Sequence, residues 1–477
     1  MRSDAATPVL REPAGAGAGL ALIVFLGLAA LCGAMLAVGE LQALYVALAL
    51  VACLAVLYDF RVGAVLLVVL MPFSASSVFP HELMGYRGLN PANLLVAGTL
   101  LAFVLHGGLA RPGTILPLPL VLVYLPPILL AGFIGMHNVE DIATSMFEIG
   151  GGTLTPFGYF LVWVVKPLLF VAMAMLLAGA VARSRHPERF LVPIIASVWI
   201  VCLLAIVYVL VSGAGLAELA SAEARGFYLP IGLHANDLGR LFLMAFALLL
   251  FTWWETTRPG MKTALLFTLA VVLTALVLSF SRAAYLGVLL VGALFLLWTF
   301  NARKLSFGLV VVVLALTAIP QSVVQRAMLG FDTGDIDAVS AGRWGLWVAL
   351  LPEALRAPPW GNGIGSIMWS TALHTDAIEP TTHPHNAYLQ ALLDTGFLGL
   401  TLMLAFYAFV WRGFRRLAAH PQVHRELRGF FQGASAGLLA FLLTGWAGSS
   451  LMPAREWAFL WIAIGMMYGM QARRPAG

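Results

Sequence analysis

Residues 190–213 read FLVPIIASVWIVCLLAIVYVLVSG, 24 consecutive positions without a charged side chain. About 20 apolar residues wound as a helix cross the hydrocarbon core of a bilayer. Runs of this kind recur along the chain. Spans are expected at 20–38, 40–58, 62–79, 91–107, 114–135, 155–181, 190–213, 236–254, 262–280, 283–300, 305–320, 386–411, 429–447 and 456–471. The composition agrees: 61% of the 477 residues are hydrophobic and 10% are charged, whereas soluble domains are about one quarter charged. The fold class is therefore all-α, a polytopic helical membrane protein with about 12–14 transmembrane helices. Links such as Gly39-Glu40 are so short that one or two segments could be re-entrant, leaving twelve. Within 155–181, Lys166-Pro167 predicts a kink and a buried cation.

The formal net charge of +5 does not point to nucleic acid, because the basic residues sit in short loops, where they set topology. With the N-terminus in the cytoplasm, 18 of the 27 lysines and arginines fall inside and eight outside, with Lys166 in a span. The chain then divides into a cytoplasmic tail (1–19), transmembrane helices (20–320), an external loop (321–385), C-terminal transmembrane helices (386–471) and a second cytoplasmic tail (472–477). Residues 1–19 read as a flexible tail and not as a cleavable signal. Cys32, Cys53 and Cys202 lie in apolar runs without ligand spacing and read as structural thiols.

The long polar interval of the back half closes on Thr381-Thr382-His383-Pro384-His385-Asn386-Ala387-Tyr388-Leu389-Gln390. Asn386 before an apolar run is a helix-start signal, and capping by His383 and Asn386 would be a sufficient role for this stretch. An imidazole near neutral pKa at a membrane boundary is also a natural general base for an alcohol nucleophile. Two histidines separated by Pro384 do not share a helical face, and catalytic zinc usually takes three protein ligands. No metal is expected. In the same loop, Asp332, Asp335 and Asp337 lack the calcium-loop pattern. Trp344, Trp347 and Trp360 suit a helix lying at headgroup level.

Three outside arginines oppose the charge bias. Arg282 joins two spans with almost no loop, and Arg343 opens an amphipathic stretch, where the helix dipole favours an acid. Both make sense against a bound anion such as phosphate, which guanidinium grips with paired hydrogen bonds. Arg240 could do the same or simply pair with Asp237. The run Gly361-Asn362-Gly363-Ile364-Gly365 lacks nucleotide-loop spacing and reads as a tight turn allowing close approach of substrate or backbone.

The ordered set Ser281-Arg282-Ala283-Ala284, Gly342-Arg343 with Trp347, Gly361-x-Gly363-x-Gly365-Ser366, and His383-Pro384-His385-Asn386-x-Tyr388-Leu389-Gln390 with Gly396 and Gly399 resembles the bacterial O-antigen ligase and O-antigen polymerase superfamily. The resemblance covers roughly residues 230–405. It implies an integral inner-membrane glycosyltransferase with a periplasmic active site, acting without nucleotide sugar, cofactor or metal. It also implies a glycan donor on undecaprenyl diphosphate and, for ligases, a lipid A–core acceptor within the membrane lipid. The family's two arginines and one histidine fall on Arg282, Arg343 and His385, with His383 a second candidate base. Arg240, Asn386 and Tyr388 are candidates for diphosphate binding or support.

The expected chemistry is direct displacement with inversion. His385 takes the proton of the acceptor hydroxyl, and Arg282 and Arg343 hold the departing diphosphate. An O-antigen polymerase shares the fold and donor. A protein O-oligosaccharyltransferase would use a protein hydroxyl. A transporter should place its polar groups near mid-membrane, often at broken helices.

Overall fold

The computed structural model describes residues 51–473, except 75, 78–81, 84–85, 88–90, 109–116, 147–153, 220–225, 300–320, 322–323, 325–333, 335, 341 and 449. The expected spans 20–38 and 305–320, most of 40–58, the tail 1–19, Cys32, Asp332 and Asp335 lie outside the described residues. The other expected spans are helical: α1 Phe60–Leu70, α2 Pro91–Leu105, α3 Leu125–His137, α4 Pro156–Ala182, α5 Leu191–Ser212, α6 Ala235–Glu255, α7 Pro259–Leu278, α8 Arg282–Trp298, α10 Ala387–Ala419, α11 Arg425–Thr444 and α12 Ala458–Ala472. The amphipathic loop helix is α9, Trp344–Arg356. Seven of the described helical segments are long and apolar enough to cross a membrane. This is the polytopic all-α fold the sequence implied. A minor departure is an antiparallel pairing of Glu82–Leu83 with Tyr86–Arg87.

The bundle is organised around α6. Of its apolar window 83% is buried, against 33% for α7 and 39% for α5. Apolar attraction is weak between helices already in lipid, so close van der Waals packing must hold them, and small residues permit it. On α11, Gly429, Gly433 and Gly437 recur every fourth residue and lie on α6. A Cβ at Gly429 would sit 2.4 Å from the Phe251 carbonyl oxygen, and one at Gly433 would sit 2.3 Å from that of Ala247. Gly465 and Gly469 seat α12 on Ala174 and Ala178 of α4 in the same way.

The ends of α6 differ in charge. Asp237 stands at its start. At its finish, Glu255 meets Arg425 at 4.0 Å and Arg428 at 3.9 Å, beside a 3.9 Å pair between Arg258 and Glu426. A helix of this length rises about 30 Å, one hydrocarbon thickness.

Two irregularities shape the interior. In α4, Leu161–Val165 forms a π-turn, in which the Lys166 N–H reaches back to the Leu161 carbonyl. The wider turn accommodates Pro167, which lacks an N–H. Lys166 is exposed on the helix surface, which corrects the expected buried cation: the changed register at the π-turn and Pro167 leaves its side chain outside the packed face.

The second break is at Gly396 in α10 (φ 66°, ψ −175°). The groups it frees are taken up by the glycine run. Asn362 N–H donates to the Leu393 carbonyl (2.9 Å), Gly363 N–H to that of Asp394 (3.0 Å), and Leu398 N–H to that of Pro359 (3.0 Å). Irregular backbone inside a spanning helix is tolerated only where protein satisfies it. The close approach expected of the glycine run is thus an approach of backbone to backbone.

Candidate active site

The site is assembled on a turn that precedes α10. Asn386 caps that helix, its Oδ1 accepting from the N–H groups of Tyr388 (3.0 Å) and Leu389 (3.1 Å). The chain enters this cap through His385 in the left-handed region, at φ 54°, where a side chain with a Cβ is disfavoured. That turn folds the two imidazoles together, with ring centroids 4.2 Å apart and planes at 67°. Thr382 Oγ1 lies 3.0 Å from His383 Nδ1. The loop helix α9 holds the turn from above, because Trp347 Nε1–H donates to the Pro384 carbonyl at 2.8 Å.

Both histidines face a cavity of about 440 Å³. Its far wall is the start of α6, where His234 caps the helix by accepting from the Asn236 N–H (3.2 Å). Arg240, one turn further on, also lines the cavity and is buried. It pairs with Asp237 at 3.5 Å and Glu456 at 3.7 Å, and donates to the Ala447 carbonyl at 2.8 Å. Arg455 joins the network through Asp237 (3.1 Å) and the Gly232 carbonyl (3.2 Å). The pairing of Arg240 with Asp237 that the sequence allowed is therefore present, and it extends to Glu456 in the short turn just before α12. A buried charge set of this kind holds only when its members satisfy one another.

The cavity wall opposite α6 comes from the broken part of α10. The buried Asp394 carboxylate accepts from Ser366 N–H (3.0 Å), Ser366 Oγ (2.7 Å) and Gln390 Nε2 (2.5 Å). Trp163 and Pro167, on either side of Lys166 in sequence, also line the cavity.

His383 is pushed down to about 4. Burial is the main cause, Arg240 adds to it, the Asp237 carboxylate opposes it, and Arg343 and His234 depress it further. The ring is thus neutral at pH 7. Arg343, the N-cap residue of α9, stands outside the cavity lining but close enough for its charge to act on His383. Arg282 also stands outside the lining. It begins α8 directly after Ser281, whose hydroxyl donates to Asn236 Oδ1 in the cavity wall at 3.1 Å. Tyr388 turns away: its hydroxyl donates to the Leu442 carbonyl and its ring packs on Trp446, tying α10 to the end of α11.

Of the residues singled out from sequence, His383, His385 and Arg240 share one cavity, Asn386 and Tyr388 support it, and Arg282 and Arg343 flank it. The sequence reading missed Asp237 with Glu456 and Arg455 as a network, and Asp394 with Gln390 and Ser366 as a wall. One signal was available: an acid inside an apolar span marks a functional position by default, and Asp394 is such an acid.

A many-helix membrane protein with a polar, imidazole-lined cavity at one end of its bundle is the class these features define. Residues 264–404 match the family model Wzy_C, described as O-antigen ligase. This stretch is similar to an O-antigen ligase domain, which supports the O-antigen ligase and polymerase superfamily that the chain's motifs resemble. The matched stretch contains Arg282, Arg343, Asp394 and the histidine turn, whereas Arg240 and Glu456 lie outside it. A search of curated proteins finds no match.

Proposed function

We propose that the protein is an O-antigen ligase of the bacterial inner membrane. It moves a glycan from undecaprenyl diphosphate to a sugar hydroxyl of lipid A–core at the periplasmic face, without metal or cofactor. The observation that carries this reading is the shared cavity. An imidazole pair faces it, arginines line and flank it, and it sits at the opposite end of α6 from the arginine-rich cluster. The charge bias of the loops supports a cytoplasmic assignment for that cluster and for both termini.

In this mechanism the acceptor oxygen attacks the anomeric carbon, forming the new glycosidic bond as the bond to the diphosphate oxygen breaks. His385 takes the hydroxyl proton. The electron pair leaves with undecaprenyl diphosphate, whose growing charge is met by Arg282 and Arg343. Arg343 is supported by its reach to His383, and Arg282 by its anchoring through Ser281 to Asn236. His383, pushed down to about 4, is a poor base near pH 7, since a proton acceptor works best with a pKa near the operating pH. Its neutral ring packs His385 in place. Arg240, engaged by two carboxylates, holds the wall.

Transporters also use broken helices. At Gly396, however, the backbone groups of Leu393, Asp394 and Leu398 are bonded to residues 359–363, which favours a fixed wall over a moving path. The test is deletion of the gene followed by gel analysis of lipopolysaccharide. Loss of the whole ladder, with lipid-linked polymer accumulating, is the expected result. A core bearing a single repeat would mean a polymerase. An unchanged ladder would overturn both readings.

A further inference from the structure

Gln390 is buried and lines the cavity, and its Oε1 has no hydrogen-bond partner among the described residues. A buried acceptor left without a donor keeps its desolvation penalty uncompensated. Its amide orientation is not free: Nε2 must donate to Asp394, whose other oxygen is taken by Ser366. Oε1 is therefore held as an acceptor waiting for an N–H or O–H. Counting from the Asn386 cap, His385 occupies the position before the helix and Gln390 the fourth position within it, and side chains at these two positions pack together across a helix start. Both line the same cavity.

We infer that Gln390 is a positioning residue, whose Oε1 accepts the N–H of one His385 ring nitrogen in the working state and so leaves the other nitrogen free as base. Asp394 fixes Gln390, Gln390 fixes the imidazole, and the imidazole meets the acceptor hydroxyl. A base oriented by a third group through a defined tautomer is a general device of proton-transfer sites. The chargeable groups around the cavity are His383, His234, Asp237, Arg240, Glu456 and Asp394; substituting Gln390 leaves all of them in place and removes a hydrogen bond from Asp394 alone. The inference rests on the ligase reading for its catalytic consequence only.

Gln390→Met keeps the length of the side chain and removes the acceptor. Gln390→Glu, sharing a proton with Asp394, retains an oxygen toward the ring. Two readouts apply to full-length protein in detergent: transfer kinetics, and the pH dependence of diethyl pyrocarbonate labelling at His385 followed by peptide mass spectrometry. An acceptor on the ring N–H favours the protonated form. Gln390→Met should therefore move the labelling midpoint to lower pH by about half a unit or more and reduce kcat about tenfold, with donor KM nearly unchanged. Gln390→Glu should restore both. Asp394→Asn, which frees the Gln390 amide to turn, should lower the midpoint as Gln390→Met does. An unmoved midpoint in both Gln390→Met and Asp394→Asn overturns the relay, as does a loss expressed only in KM. A moved midpoint in a protein that transfers no glycan leaves the relay standing and overturns the ligase reading.

Discussion

The indole Nε1–H of Trp347 donates to the carbonyl of Pro384 at 2.8 Å, so the loop helix α9 grips the peptide between the two histidines. The same helix carries Trp344, Val348, Leu351 and Leu355 exposed along one line, an apolar stripe suited to the membrane surface. Trp347→Phe keeps a ring and removes the donor. A hydrogen bond of this kind contributes about 1 kcal/mol, and the expected outcome is a several-fold fall in kcat with a melting temperature within a few degrees of wild type. Unchanged turnover would show that the turn holds its geometry unaided.

His385 is held at φ 54°, a conformation that costs a residue with a Cβ about 1–2 kcal/mol and suits glycine. His385→Gly should leave the purified protein at least as resistant to heat as wild type while abolishing glycan transfer. A loss of stability equal to the loss of activity would make the residue structural. Thermal unfolding followed by tryptophan fluorescence separates the two.

At Gly396 the left-handed backbone and the approach of the glycine run act together. A Cβ there would lie 2.3 Å from the Pro359 carbonyl oxygen and 2.5 Å from Gly361 N. All of these atoms are backbone and cannot step aside. Gly396→Ala should cost several kcal/mol and appear as loss of monodisperse protein in size-exclusion chromatography. Gly292→Ala in α8, where a Cβ meets nothing within 4 Å, should be tolerated.

His383 gives stability a pH dependence of known sign. Its ordinary value is 6.5 and its folded value is about 4. Between these limits the unfolded chain binds a proton that the folded one refuses, so unfolding takes up protons. The contribution is complete above about pH 6.5 and is lost as pH falls toward 4, at up to about 1.4 kcal/mol per pH unit. Melting temperature should therefore drop between pH 6.5 and 4, with a shallower drop in His383→Gln. Identical slopes would contradict the burial of His383 as a neutral ring.

Most of the fold was legible because a span is written locally: about 20 apolar residues suffice, and the observed helices fall within a few residues of most expected runs. The histidine turn was legible for a similar reason, since Asn386 announces a cap. Long-range partners were not. Glu456 follows Arg455 near the chain's end and gives no local sign that it meets Arg240, more than 200 residues earlier. Lys166 misled because burial depends on which face a π-turn presents, and hydropathy does not record that. Gln390 stood in the quoted histidine motif without a role, and only the bond to Asp394 shows that its amide is fixed.

The most direct measurement is transfer by the purified protein reconstituted in liposomes, given an undecaprenyl-diphosphate-linked glycan and lipid A–core in the presence of EDTA. The expected result is a glycan-bearing lipid A–core product with wild type and none with His385→Gly at matched insertion. Product formed equally by His385→Gly would contradict the assignment of the base, and no product from wild type with this donor and acceptor would contradict the ligase reading itself.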